Sequence, residues 1–109
     1  LGGDVHPFVA ADLRVVPNDA DSPIVASEFV GGSVTSRGAS RVAMAKMQLD
    51  NADIAHARGD ERGYALLDID REAARCEFRA TPYPALQDSA LSTQAAFAAI
   101  AGRPGIQGA

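Results

Sequence analysis

A strict alternation of side-chain character between residues 74 and 80 constrains the fold more than any other feature of the chain. Small or apolar residues alternate there with charged ones, namely Ala74, Cys76, Phe78 and Ala80 against Arg75, Glu77 and Arg79. Successive side chains of a β-strand point to opposite faces, so the segment predicts a strand with one dry face and one solvated face. We expect it to pair with residues 63–69 in a hairpin across Asp70-Arg71-Glu72, with Cys76 as a buried packing residue.

The remaining segments predict one helix and several extended pieces. Residues 40–57 predict the helix, with Ser40 as its N-cap and apolar residues near one face. Residues 24–36 are rich in β-branched side chains and predict two short extended pieces around Gly31-Gly32. Residues 90–101 fit both a helix and a strand, because alanine favours a helix while the apolar residues also alternate. The sequence Gly102-Arg103-Pro104-Gly105 is expected to break whatever precedes it.

Composition excludes several classes of protein. A net charge of −4 argues against a nucleic-acid binder, and a single cysteine cannot build a disulfide scaffold. No apolar run reaches the roughly 20 residues that a transmembrane span needs. Alanine supplies a large share of the 47% hydrophobic residues, so we expect a thin core. Leu1-Gly2-Gly3 offers neither an initiator methionine nor a signal sequence, and we expect the chain to be part of a longer one.

The residues best suited to chemistry lie near the start of the chain. Gly3-Asp4-Val5-His6 places a carboxylate and an imidazole two residues apart, after a glycine pair. In an extended segment both side chains would point to the same side, where a carboxylate suits a hard cation and an imidazole suits a transition metal. The motif could form half of a metal site, although a tetrapeptide of this kind is more often a solvated turn.

Several motifs in register resemble the C-terminal part of the PhoD-like alkaline phosphatases. They are Gly2-Gly3-Asp4-Val5-His6 with Ala11-Asp12-Leu13, the segment SPIVASEFVGGSVTS at residues 22–36, an R-G-Y-x-x-x-D strand running from Arg62 to Asp68, and Gly102-Arg103-Pro104-Gly105. These motifs extend over nearly the whole chain. Their combination is far more specific than any one of them.

The resemblance implies a fold of the α/β class and a phosphatase function. Residues 1–109 would form the C-terminal part of one incomplete metallophosphatase domain. That domain resembles a four-layer α/β/β/α sandwich, and the fragment would contain mostly β-strands and loops with one main helix. Members of the calcineurin-like metallophosphoesterase superfamily hydrolyse phosphate esters, and this family is described as using Fe³⁺ and Ca²⁺ on phosphate monoesters and diesters.

The resemblance also implies partners and a location. The substrate would be a phosphate monoester or diester, and the remainder of the parent domain would pack against this chain. No nucleic-acid binding is implied, and no transmembrane segment is expected. Relatives are typically exported, so the parent protein is expected in the periplasm or outside the cell.

The same resemblance assigns roles to the G-D-x-H motif. Related metallophosphatases carry G-H-x-H at this place, so Asp4 would coordinate the second metal, a calcium. His6 would lie beside the cluster, as a metal ligand or as a catalytic contact to the phosphate. The other ligands of the family would precede Leu1. We therefore expect the parent protein to be a phosphatase and the isolated chain to be inactive.

Other polar residues in the matched motifs are expected to have structural roles. Asp12 is interpreted as solvated or hydrogen bonding, and Ser33 and Ser36 as formers of turn hydrogen bonds. Tyr64 is interpreted as a structural residue of its strand. The role of Glu28 stays open, because it lies in the same matched segment as the two serines.

One region departs from the family pattern. Asn51-Ala52-Asp53-Ile54 replaces an N-P-H-I-type stretch, so Asp53 holds the usual histidine position. His56 is predicted to be a surface residue. Arg58, Asp60, Glu61 and Arg62 are predicted to form a solvated loop of mixed charge rather than a phosphate clamp.

Two other functions remain open from the residues alone. The chain could be a noncatalytic β-rich packing or interaction module, in which Asp4 and His6 only satisfy turn hydrogen bonds. It could also be a calcium-binding domain without catalysis. Phosphatase motifs in the sequence preceding Leu1 would favour the enzyme. Calcium binding by the chain alone would favour the calcium-binding domain without catalysis.

Overall fold

The alternating hairpin belongs to the larger of two antiparallel sheets. The computed structural model describes all 109 residues, with seven strands and one helix. The elements are β1 (Phe8–Arg14), β2 (Ile24–Val30), α1 (Arg41–Asp50), β3 (Ile54–Arg58), β4 (Glu61–Ile69), β5 (Ala73–Pro82), β6 (Ser92–Ile100) and β7 (Arg103–Gly108). Strands β2-β1-β3 form the small sheet and β4-β5-β6-β7 form the large sheet. No helix has the length and apolar character that a bilayer span requires.

Strand β1 is buried on both faces and connects the layers of the structure. Phe8 and Ala10 point toward the large sheet, where they join a core cluster with Phe78. Val9 and Ala11 point to the opposite side and pack in a second cluster that includes Met44 of α1. The chain therefore forms three layers, which are α1, the small sheet and the large sheet. The predicted mixture of strands with one main helix is confirmed.

Aromatic contacts fill the space between the two sheets. The ring centroid of Phe78 lies 5.2 Å from that of Phe8 and 6.3 Å from that of Phe97. Phe8 and Phe78 have no exposed surface, and Ala10 and Ala80 beside them are equally buried. Alanine adds little buried apolar area, so the few phenylalanines supply much of the hydrophobic stabilisation.

The hairpin forms in the register that the alternation predicts. Ile69 pairs with Ala74 and Gly63 pairs with Ala80. The turn is stabilised by Asp70, whose Oδ1 accepts hydrogen bonds from the backbone N–H groups of residues 72 and 73 at 2.7 and 2.9 Å. Together with the guanidinium of Arg75, which has the larger effect, these bonds lower the pKa of Asp70 to about 2. Cys76 is 1% exposed, and burial raises the pKa of its thiol to about 11.

The helix is shorter than the sequence predicts. Ser40 is the N-cap, since its Oγ accepts a hydrogen bond from the backbone N–H of Ala43 at 3.1 Å. The helix ends at Asp50 with Asn51 as C-cap, so the prediction that it continues to residue 57 is wrong. Residues 54–58 instead pair with β1, because the edge of that strand offers them main-chain partners. Tertiary pairing therefore overrides the local preference.

The structure decides three further expectations about the backbone. Residues 90–101, which fit both a helix and a strand, contain β6. Gly102 has a φ of 73° and forms a tight turn, but the chain continues beyond it as β7. Of the two extended pieces expected between residues 24 and 36, the first is β2 and the second is absent. Residues 33–36 form a loop instead.

His56 is not the surface residue that the sequence predicts. Its ring is half-buried and lies 5.7 Å from the ring of Phe78 and 5.8 Å from that of Phe97. Its Nε2 is 2.8 Å from Oε1 of Gln94, and Gln94 Nε2 donates to Glu61 at 2.7 Å. Because β3 covers the large sheet, its inward-pointing residue is removed from water. Burial lowers the pKa of His56 below 6.5, against the opposing effect of the Gln94 hydrogen bond.

Truncation of Phe78 tests the role of the aromatic core. Phe78→Ala should lower the free energy of unfolding by about 3–5 kcal/mol, because it leaves a cavity between the sheets. Leu66→Ala is the matched control on the same hairpin, since Leu66 is 53% exposed and its truncation should cost less than about 1 kcal/mol. Urea unfolding of both variants measures the difference. Equal losses would mean that the sheets do not pack through Phe78.

The buried position of His56 predicts a pH dependence of stability. The unfolded chain binds a proton near pH 6.5, whereas the folded chain binds it only at lower pH. The free energy of unfolding should therefore fall as the pH drops from about 7.5 to about 5.5. His56→Gln removes this group and should make the loss smaller in urea titrations at the two pH values. An unchanged loss in the variant would place the titrating group elsewhere.

Candidate functional site

The G-D-x-H motif forms a tight loop beside the end of β2. The N–H of Gly2 donates to the carbonyl of Phe29 at 2.9 Å, and the N–H of Gly31 donates back to Gly2 at 3.3 Å. Gly2 and Val30 make an isolated parallel bridge. The loop is thus attached to the small sheet immediately before β1 begins.

Both candidate ligands have a left-handed backbone, which corrects the extended geometry assumed from the sequence. The φ angle is 72° at Asp4 and 73° at His6. Positive φ is uncommon outside glycine, although Asp and His tolerate it better than most residues. The Val5 N–H donates to the Gly3 carbonyl at 2.9 Å and closes a γ-turn centred on Asp4. Such a turn with positive central φ is rare and strained, and strain of this kind clusters at functional sites.

The hydrogen bond of the His6 ring defines which of its nitrogens is available. His6 Nδ1 lies 2.9 Å from the carbonyl oxygen of Arg37. A carbonyl oxygen only accepts, so Nδ1 carries the proton and donates it. In the neutral ring this leaves the lone pair on Nε2. A metal-binding histidine typically has this arrangement, in which one nitrogen donates to a carbonyl and the other binds the ion.

Asp4 and His6 offer two donors of suitable chemistry, both on exposed side chains. A carboxylate suits calcium and a neutral imidazole suits iron, so these residues fit the cations that the resemblance implies. The chain contains no group of three or more His, Cys, Asp or Glu side chains that could hold a metal ion. The loop therefore presents part of a possible coordination shell.

The burial of Arg62 is the largest departure from the predicted structure of the site region. This side chain is only 2% exposed and not part of a solvated loop. Nη1 donates to the Ser33 hydroxyl at 2.7 Å and to the carbonyl of Ser36, and Nη2 donates to the carbonyl of Gly59. The ring of Tyr83 lies 5.1 Å from its guanidinium carbon. The charges of the neighbouring residues do not reveal that Arg62 is buried. Its place in the R-G-Y motif is the sequence signal that could have indicated a structural role.

The other members of that predicted loop pair with one another. Arg58 lies 2.7 Å from Asp60 and 3.2 Å from Glu61, and all three are partly exposed. The hydrogen bond from Arg58 lowers the pKa of Asp60. Their charges are mutually compensated, which is consistent with the interpretation that they do not clamp a phosphate.

Asp12 and Ser33 have the hydrogen-bonding roles expected for them. Asp12 accepts a hydrogen bond from the N–H of Ile106 at 2.8 Å and so connects β1 to β7. The Ser33 hydroxyl donates to the carbonyl of Ser36 at 2.6 Å and stabilises the turn between them. Ser36 contributes through its carbonyl rather than its side chain.

Three other residues singled out from the sequence lie on strands or strand connections. Glu28 is part-exposed on β2, in register with Ala11. Tyr64 is 45% exposed on β4, opposite Arg79. Asp53, at the usual histidine position, accepts hydrogen bonds from Arg14 and from the N–H of Asn18, both at 2.6 Å. These bonds lower the pKa of Asp53 and make it a structural link between loops.

Comparison with known proteins is consistent across sequence and structure. The family model described as PhoD-like phosphatase matches residues 1–78. Alkaline phosphatase D of Bacillus subtilis (strain 168) is 32% identical over 99 residues, which cover 89% of this chain and 17% of that protein. A solved structure described as the structure of PhoD superposes with a TM-score of 0.85 at 29% identity, over 97% of this chain and 21% of the solved one.

The chain thus spans about a fifth of the length of these relatives. Within that part, the family match includes both the strained G-D-x-H loop and the buried arginine of the R-G-Y motif. Sequence and fold agree, and the chain belongs to the PhoD-like phosphatase family.

Proposed function

We propose that the protein containing this chain is a metal-dependent phosphatase or phosphodiesterase of the alkaline phosphatase D type. In this proposal Asp4 and His6 contribute to its metal centre. The observation that carries the proposal is the geometry of the loop, in which two residues with positive φ present an exposed carboxylate and an imidazole with Nε2 free. Family membership supports the same assignment, because the similar Bacillus subtilis protein is named alkaline phosphatase D.

The two side chains have distinct roles in this proposal. Asp4 supplies carboxylate oxygens to a calcium ion, since hard cations prefer oxygen ligands. His6 would offer its Nε2 either to the other cation, an iron, or to a phosphate oxygen. When bound, the two cations supply Lewis-acid stabilisation of the charge on the phosphoryl group.

The residues of this chain prepare the site rather than complete it. The hydrogen bond to the Arg37 carbonyl holds the His6 ring in one tautomer and one orientation, so no rearrangement is needed when a ligand binds. The attachment of Gly2 to β2 holds Asp4 at a defined distance from the sheet. Calcium takes about six to eight oxygen ligands, so the remaining donors would come from the rest of the protein.

The same reasoning extends to the larger architecture and location. The three layers described here would form part of a four-layer α/β/β/α sandwich, with the remaining layer supplied by the rest of the parent domain. Residues 1–109 are then the C-terminal part of that domain. Export to the periplasm or the cell exterior stays a prediction from the family resemblance.

Substitution of Asp4 tests the assignment of the site. In the complete protein, Asp4→Asn should lower the rate of p-nitrophenyl phosphate hydrolysis by at least about 100-fold and reduce the amount of bound calcium. The reason is that the amide oxygen of asparagine lacks the negative charge of the carboxylate and binds calcium more weakly. Asp88→Asn is the matched control, since Asp88 is exposed in the β5–β6 connection. Metal analysis and kinetics are measured on the same samples. Full activity and calcium content in Asp4→Asn would exclude Asp4 from the site.

The incompleteness of the site gives a second test. The 109-residue chain alone should not hydrolyse p-nitrophenyl phosphate in the presence of calcium and iron, because two donors do not hold a cluster of cations. The assay is repeated with Asp4→Ala to identify any contaminating activity. Hydrolysis by the chain that disappears in Asp4→Ala would contradict the proposal.

A further inference from the structure

The buried guanidinium of Arg62 has no carboxylate partner. None of the ion pairs in the chain includes Arg62. Its charge is instead compensated by two main-chain carbonyls, one hydroxyl and the face of the Tyr83 ring. Burying a cation costs free energy, and an apolar residue of similar size would avoid that cost. The arrangement therefore indicates a role for Arg62 other than general stability of the core.

Two of the three oxygen acceptors of Arg62 belong to one loop, residues 33–37, which we call the 33–37 segment. Nη1 donates to the Ser33 hydroxyl and to the Ser36 carbonyl within this segment, and the N–H of Gly63 donates to the Ser33 carbonyl at 3.0 Å. The backbone of the adjacent Gly38 is also in close contact with the β3–β4 connection. A Cβ at Gly38 would lie 2.2 Å from the carbonyl oxygen of Gly59, a distance that no side chain permits. The start of β4 thus defines the path of the 33–37 segment.

The 33–37 segment in turn holds His6 at two points. The N–H of Ser33 donates to the main-chain carbonyl of His6 at 3.1 Å. The carbonyl of Arg37 accepts the hydrogen bond of the His6 ring at 2.9 Å. The first contact fixes the backbone of a residue with positive φ, and the second selects the tautomer. No other hydrogen bond to the His6 ring is present in the chain.

We propose that Arg62 is a positioning residue for His6. By fixing the 33–37 segment, its guanidinium orients the Arg37 carbonyl, which keeps the proton on Nδ1 and leaves Nε2 available to the site. A single planar fork reaches all three oxygen acceptors, and an ammonium group cannot match that geometry. This inference rests on the proposed role of His6, but it concerns a residue that does not touch metal or substrate.

The tautomer of His6 provides a direct test in the 109-residue chain. Nitrogen-15 NMR of the neutral ring should show Nδ1 protonated and Nε2 bare in the natural sequence. Arg62→Met removes all the donors at similar length, and Arg62→Lys keeps the charge without the fork. Both variants should increase the Nε2-protonated form of His6. Ser33→Ala removes one contact of the guanidinium and should give a smaller change in the same direction if Arg62→Met does not fold.

Kinetics in the complete protein separate positioning from folding. Arg62→Met and Arg62→Lys should lower kcat for p-nitrophenyl phosphate by about 10- to 100-fold, as substitutions behind metal ligands commonly do. The rates are measured well below the unfolding transition and divided by the folded fraction. Arg71→Met is the control, because Arg71 is exposed in the turn between β4 and β5.

The outcomes distinguish the two proposals. An unchanged His6 tautomer in the Arg62 and Ser33 variants would overturn the positioning role. A normal kcat per folded molecule would do the same, provided that His6→Gln and Asp4→Asn lose activity. If those two variants keep full activity, the proposed site itself is wrong. A changed tautomer together with a reduced kcat supports the inference.

Discussion

The burial of β1 on both faces is the constraint on which the rest of the structure depends. Phe8 and Ala10 pack on the large sheet while Val9 and Ala11 pack toward α1, so one strand connects all three layers. The loop that carries Asp4 and His6 runs directly into this strand. The hydrogen bonds of Gly2 with β2 and of His6 with the 33–37 segment add to this attachment and hold the strained backbone of the loop.

The parts of the fold that the sequence predicts are those decided by local chemistry. The hairpin follows from alternation and a turn residue, and Ser40 follows from its capping hydroxyl. The misassigned parts depend on distant neighbours. β3 exists because β1 provides a partner, and His56 is half-buried because that pairing places it over Phe78. Neither partner is visible in the residues adjacent to the segment.

The features of the candidate site also divide into those that the local sequence predicts and those that depend on distant residues. Residue types and spacing are sufficient to single out Asp4 and His6, and the family resemblance gives them roles. Their positive φ angles could not be read from the residue types, and the partner of the His6 ring lies 31 residues further along the chain. The burial of Arg62 is hidden from the sequence for a related reason. A charged residue among other charged residues suggests a solvated surface until the fold places carbonyl groups around it.

The way in which Arg62 is neutralised has a consequence for the conditions in which the loop keeps its shape. Carbonyl oxygens do not take up protons in the ordinary range, and an arginine side chain does not lose its proton in proteins. An ion pair with a carboxylate would weaken in acid, and a lysine in the same position could discharge in strongly basic medium. The hydrogen bonds that Arg62 donates to Ser33, Ser36 and Gly59 include no titrating acceptor. A change of pH in the ordinary range therefore leaves each oxygen acceptor of this guanidinium in the same charge state.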